Sequence, residues 1–354
     1  MKLENRRTAK LPSHAYDLTL GKDGQLYVAC FDGGIYSLFI DGGENRFEKV
    51  GGHENYASGV HWAARQNQLI TAGYDGRLKW IDPATKKEIR SVDAHEFWSW
   101  QSCLSPDGKL VASSTGQYLC GGYKYEPAPE REPSVRVYDV ASGELRHSLP
   151  HVPPVESVAF SQGGNLLAAG NLMGEVRLWD LADGARQIAT LKTPDFTGWG
   201  IIKGHYYTGG IFSLNFAPDD RAIYLAGMGS TRDPAAGNGK QLWQKFTWGE
   251  DGSARKVAEA RDAEIGQGLM ETLSFHPGGE VFVMAGRLFK GDWNTALFDA
   301  RSGDRIHHQN TEIRTSGAVF SEDGKTLYLC GGKGQSKNVD KPDWGRVIAF
   351  DVID

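Results

Sequence analysis

Six polar residues, Asp17, His61, Gln101, Glu156, Asn215 and Glu271, interrupt short apolar stretches spread along the chain. Carboxylate, imidazole and amide groups gathered from several such stretches are the donor set of a metal site or of acid–base chemistry. Their pattern argues against both. They do not fall at one shared position of their stretches, and no H-x-x-H or H-E-x-x-H spacing accompanies them. His61, beside Trp62, reads as a buried, hydrogen-bonded histidine. His205-Tyr206 and His307-His308 are the other residues that could move protons, and the second pair reads as part of an exposed strand. Gly331-Gly332-Lys333-Gly334 has the glycines of a phosphate cradle. It lacks the strand-to-helix context and the closing Lys-Ser/Thr that such a cradle needs. Without a Gly-x-Ser-x-Gly elbow either, the expectation is no catalytic residue, no metal ligand and no cofactor.

The stretches that carry these residues belong to a repeat. Its clearest copy is Glu156–Leu181: a strand over Ser157–Ser161, a turn at Gln162-Gly163-Gly164-Asn165, a strand over Leu166–Gly170, a turn, and a strand ending in Trp179-Asp180. Six further copies start near Asp17, Gly59, Gln101, Ser213, Thr272 and Gly317. Their starts lie roughly 42–59 residues apart, at or slightly above the spacing of propeller blades. Plentiful glycine, aromatic and β-branched residues without long helical periodicity point to an all-β chain. The predicted fold is a seven-bladed β-propeller forming a single domain over 1–354, with blades starting near 14, 56, 98, 154, 210, 269 and 314.

The chain resembles the WD-repeat β-propeller family along nearly its whole length. The resemblance rests on Trp179-Asp180, on Gly52-His53, and on Tyr74-Asp75-Gly76 followed by Trp80-Ile81-Asp82. In that family a histidine, a strand hydroxyl, a turn aspartate and a tryptophan form a hydrogen-bonded tetrad. The resemblance places this structural tetrad on His53, Thr71, Asp75 and Trp80. Elsewhere Tyr138-Asp139, Phe298-Asp299 and Phe350-Asp351 stand in for Trp-Asp.

A ring of blades must pair its first and last strands or leave a raw sheet edge. The seventh unit ends with no residues left for an outer strand, while residues 4–11 precede the first. Residues 4–11 are therefore expected to complete blade seven. The turns between first and second strands are nearly uniform, as in Pro106-Asp107-Gly108 and Glu322-Asp323-Gly324. Long insertions gather instead in second-to-third loops and in crossovers between blades, which share one face. Loops longer than the scaffold needs are the usual carriers of function.

That face is rich in rings. Tyr56, Phe97, Trp98, Trp100, Phe196, Trp199, Tyr206 and Tyr207 are the expected partner-binding residues, because large planar side chains bury much area at little entropic cost. The function expected is a non-catalytic scaffold for a protein or peptide partner. The alternative is an enzyme or small-molecule or metal-binding propeller that uses the mouth of the central channel. A formal charge of −5 argues against a nucleic-acid partner, and no apolar run is long enough to span a bilayer. The N-terminus lacks the apolar core of a signal peptide, and the four cysteines show no C-x-x-C spacing. Both favour a reducing, cytoplasmic setting.

Overall fold

The computed structural model describes residues 1–41, 46–117, 129–196, 210–229, 239–261, 266–333 and 344–354. Among them are 28 strands and no α-helix. The first strand, β1 (Lys2–Leu11), stands apart from the four-strand rhythm that follows. Blade one is β2 (Ala15–Leu20), β3 (Leu26–Cys30), β4 (Gly34–Leu38) and β5 (Phe47–Gly52). Blade two is β6 (Ala57–Ala63), β7 (Gln68–Gly73), β8 (Arg77–Asp82) and β9 (Lys87–Asp93). Blade three is β10 (Ser99–Leu104), β11 (Leu110–Thr115), β12 (Val135–Asp139) and β13 (Leu145–Leu149). Blade four is β14 (Val155–Phe160), β15 (Leu166–Asn171), β16 (Glu175–Asp180) and β17 (Arg186–Lys192). Blade five is β18 (Gly210–Phe216), β19 (Ile223–Met228), β20 (Gly239–Trp248) and β21 (Ala254–Glu259). Blade six is β22 (Gln267–Phe275), β23 (Val281–Lys290), β24 (Thr295–Asp299) and β25 (Arg305–Gln309). Blade seven has β26 (Arg314–Phe320), β27 (Thr326–Gly332) and β28 (Gly345–Ile353), and β1 as its outer strand.

Each blade is an antiparallel meander. In blade four the first three strands are mostly buried and the outer strand is more exposed, as the burial patterns of β14 to β17 show. The first strands pack in sequence, β2 on β6, β6 on β10, and so on to β26, which packs back on β2. That closes the ring around a channel. β1 runs antiparallel to β28 from Lys2↔Ile353 to Leu11↔Gly345, so the expected closure is what the chain adopts. Leu3, Ala9 and Leu11 point inward and are buried, while the residues between them are mostly exposed.

Blades five and six depart from the plan. β20 begins three residues before the expected Leu242 and reaches across to β22, pairing Gly239 with Gly268 and Lys240 with Gln267. A side chain at either glycine would collide with a backbone carbonyl, of Gly229 or of Arg287. Each clash is with the neighbouring strand of the glycine's own blade, so glycine is required there for the close backbone packing inside the blade.

Every first strand carries a register break at the same height, and β22 has a second one between Gln267 and Gly268. The extra residues are Tyr16, Ser58, Trp100, Glu156, Phe212, Glu271 and Ser316. A bulge sets two residues against one and re-aims the side chain concerned. Six of these seven residues line or border the channel mouth described below.

Closure can be tested on one side chain. Leu11 is 1% exposed, so Leu11→Ala should cost about 2–5 kcal/mol in chemical unfolding. Glu4→Ala, on the exposed side of the same strand, should cost under about 1 kcal/mol. Equal effects would show that β1 is not holding the ring.

Candidate binding face

Two tight turns build the centre of this face. Phe31-Asp32-Gly33 joins β3 to β4, and Tyr74-Asp75-Gly76 joins β7 to β8. The glycines take positive φ, +79° and +76°. At Gly76 any side chain would meet the His95 carbonyl. Each aspartate caps its turn: Asp32 accepts from the Gly34 N–H at 3.0 Å and Asp75 from that of Arg77 at 3.2 Å. The ring just before each aspartate is thereby set on the face beside the crossover into the next blade. Phe31 stacks on Tyr56 at 4.7 Å and 12°, and Tyr74 stacks on Trp98 at 5.2 Å and 9°. Tyr56 and Tyr74 touch at 5.4 Å, which joins the two stacks. Trp344 extends the ladder beyond Phe31, and Phe97 and Trp100 flank its other end. Such pairs add about 0.5–1.5 kcal/mol each beyond area burial, so the ladder is a preorganised surface. Tyr56 is 44% and Trp98 36% exposed.

Four of the eight rings expected from sequence, Tyr56, Phe97, Trp98 and Trp100, therefore meet in one place. Phe196 is a correction. It ends the short turn Pro194–Phe196 and is wholly buried in the core of blades four to six, so it offers no partner any surface. Trp293, another ring near an insertion, is also buried. Trp199, Tyr206 and Tyr207 lie outside the described residues. Phe31 and Tyr74 lie in short turns and Tyr16 on the bulge of β2, so the pattern of long insertions does not point to them. An aromatic residue directly before Asp-Gly in two successive units was the available signal.

Beneath the ladder, histidine–acid networks hold the crossovers that present it. His53 bonds Asp75 through Nδ1 at 2.9 Å and Thr71 through Nε2 at 2.9 Å. Asp75 also accepts from the Glu54 N–H, two residues before Tyr56. Burial raises the Asp75 pKa, but the His53 bond and the backbone donors outweigh it and leave a net depression. Trp80 does not complete a tetrad. Its Nε1 donates to the Val140 carbonyl of blade three at 2.8 Å, and the ring packs with Val111 and Tyr138. Residues alternate faces along a strand. It is Ile81 that faces blade one, with Val60 and Ala57. Trp80-Ile81-Asp82 thus sets its tryptophan one residue out of phase with Trp-Asp.

Blade three carries an equivalent network that sequence did not reveal. His95 bonds Ser113 at 3.1 Å and lies 3.7 Å from Glu132. Glu132 accepts from the N–H groups of Glu96 and Phe97, and so fixes the crossover that bears Trp98. Its acid arrives at the far end of the 116–133 insertion rather than from a turn, which hid it. In blade four Asn171 takes the turn role, accepting from Met173 and Glu175 and donating to the Val152 carbonyl.

The polar residues of the first strands divide into two kinds. Asp17, His61, Gln101 and Asn215 reach sideways and stitch neighbouring blades together. Asp17 accepts from Val60 N–H at 3.0 Å, Gln101 from Val158 N–H at 2.8 Å, His61 meets Ser102 at 2.7 Å, and Asn215 donates to the Leu273 carbonyl at 2.6 Å. Glu156 and Glu271 belong to the bulged residues and line the channel mouth with Tyr16, Trp100, Phe212, Ser316 and Arg314, and Gln101 borders it as well. Glu271 is held by Arg314, with Nε–Oε1 2.8 Å and Nη2–Oε1 2.7 Å. The mouth leaves about 40 Å³, room on the scale of a water molecule rather than of a substrate. A larger cleft of about 490 Å³ lies off the axis between blades six and seven. The opposite end is less plain than its uniform turns suggest: a recess of about 780 Å³ there includes Trp62 and Tyr328.

A family model described as "WD domain, G-beta repeat" matches residues 143–180. That span takes in β13 and then β14 to β16, the outer strand of one blade and three strands of the next. Residues 143–180 thus carry a WD repeat. The offset between WD repeat and blade is what β1 resolves at the seam. Among the relatives it resembles, the guanine nucleotide-binding protein subunit beta of Nicotiana tabacum is 22% identical over 78% of this chain and 67% of its own length. The U3 small nucleolar RNA-associated protein 15 homolog of Xenopus tropicalis is 23% identical over 60% of this chain and 44% of its own. The U5 small nuclear ribonucleoprotein 40 kDa protein of Dictyostelium discoideum is 24% identical, over 54% and 53% respectively. The chain thus spans from under half to about two thirds of these relatives.

Two predictions follow from the networks. Asp75→Ala strips His53 and two backbone donors of their acceptor, and should cost about 1–3 kcal/mol. Asn171→Ala, which removes the acceptor of two backbone N–H groups, should cost a similar amount. Urea unfolding of both variants checks this. The second concerns pH. Burial lifts the Asp17 carboxyl to about 7, against the pull of its two backbone donors. A carboxyl raised on folding contributes its stability below about pH 4, and loses it as pH rises through 7. Asp17→Asn should therefore gain on the wild type between pH 4.5 and pH 8. A constant difference across that range would refute the assignment.

Proposed function

We propose that this protein is a non-catalytic scaffold that binds a protein or peptide partner on the face bearing the aromatic ladder. The observation that carries the proposal is the ladder itself. Stacked rings from three blades are fixed from below by buried histidine–acid networks and end in exposed surface at Tyr56 and Trp98. Interfaces concentrate their energy in such rigid aromatic anchors. The names of these relatives, a subunit and a component of a ribonucleoprotein, support a part played alongside other macromolecules. The negative charge favours protein over nucleic acid as the direct contact. The proposed centre is blades one to three, with Tyr56, Phe97, Trp98 and Trp100 joined by Phe31 and Tyr74.

Affinity capture from source cells, followed by titration of the captured partner, tests this. Trp98→Ala should weaken binding by about 2 kcal/mol or more. Asp107→Ala, in a turn at the other end, should bind like the wild type. Loss with Asp107→Ala and retention with Trp98→Ala would move the site to the opposite face.

A further inference from the structure

We propose that the cleft between blades six and seven receives an acidic side chain of the partner, its carboxylate set against Arg287 and Arg314. This rests on the partner-binding reading above and names the chemistry of one partner residue. The cleft, about 490 Å³, is of the size that holds small groups. Phe31 and Trp344 lie side by side in one wall, and Phe289 and Ile313 also line the cleft. Phe31 is also a rung of the aromatic ladder, so one bound segment can lie on the ladder and enter the cleft.

Two guanidinium groups line this cavity from different strands, Arg287 from β23 and Arg314 from the start of β26. Glu271 grips Arg314 through Nε and Nη2. That fixes the plane of the guanidinium and leaves its Nη1 corner without a hydrogen bond among the described residues. Burial, then the positive charge of Arg314, pulls the Arg287 pKa below its ordinary value, with Glu271 opposing. Two cations held close in a partly desolvated, ring-walled space favour an anion between them. His14, on the same wall, is held neutral by burial and by Arg314, with a pKa of about 3, and adds no charge. Glu312 on the rim is engaged by Lys333 at 3.3 Å. Because Glu271 already offsets part of the positive field, a singly charged carboxylate fits better than a phosphate dianion.

The test uses the full chain and three probe peptides: acetyl-Gly-Leu-Glu-Leu-Gly-amide, its Gln counterpart and its phosphoserine counterpart. Affinities are read by tryptophan fluorescence and by NMR. The glutamate peptide should bind about tenfold more tightly than the glutamine peptide, as a charge-assisted pair would require. Arg287→Gln should erase that preference while unfolding at the wild-type temperature. Arg287→Lys, which keeps the charge but loses the fork, should retain part of it and serves if Arg287→Gln folds poorly. Equal affinity for the glutamate and glutamine peptides, no saturable glutamate binding at millimolar concentration, or an unchanged preference in Arg287→Gln overturns the proposal. A phosphoserine peptide binding more than tenfold tighter than the glutamate peptide overturns it in favour of a phosphate. If the acid preference fails while Trp98→Ala still abolishes capture of the cellular partner, the scaffold reading stands and this inference falls. If both fail, both fall.

Discussion

The antiparallel pairing of β1 with β28 is the constraint on which the rest depends. A meander of four-stranded blades has two raw edges until its ends meet, and each first strand is buried only because both neighbours are present. Residues Lys2–Leu11 supply the last outer strand and bury Leu3, Ala9 and Leu11 against blade seven and its neighbour. The ring then fixes the distance between every crossover and the turn beside it. The rungs Phe31–Tyr56 and Tyr74–Trp98 each join a turn of one blade to the crossover into the next, so neither exists in an isolated blade.

Within the closed ring, polar groups act mainly between blades. Asp17, His61, Gln101 and Asn215 each satisfy a donor or acceptor on the adjoining first strand. In a buried setting an unmet backbone group costs more than a made bond gains. These side chains therefore specify which blade follows which, more than they add to stability. The same economy of groups explains the histidine networks: one acid closes the histidine, caps its own turn or loop and anchors a crossover.

The face produced in this way has two unlike halves. Blades one to three present stacked rings, while blades six and seven present guanidinium groups inside an aromatic cleft. Phe31, His14 and Trp344 connect them. A surface with an apolar ladder beside a cationic recess can discriminate between partners by charge while drawing most of its affinity from rings.

The repeat unit, the all-β class, the ring of seven, and the closing role of residues 4–11 were all readable from the chain. They follow from local periodicity and turn chemistry, which are properties of neighbours in sequence. The places of Tyr56, Phe97, Trp98 and Trp100 on crossovers were readable too, because crossovers are found by counting from strand to strand. Phe196 was misjudged because a ring in a long loop can turn inward as readily as outward, and only packing settles which. Trp80 was misplaced because a slip of one residue exchanges the two faces of a strand, and motif letters do not record that phase. Glu132 found its histidine across an insertion, and Arg287 met Arg314 from different strands of different blades. Contacts between residues this far apart arise only when the ring closes, and no local pattern in the chain encodes them.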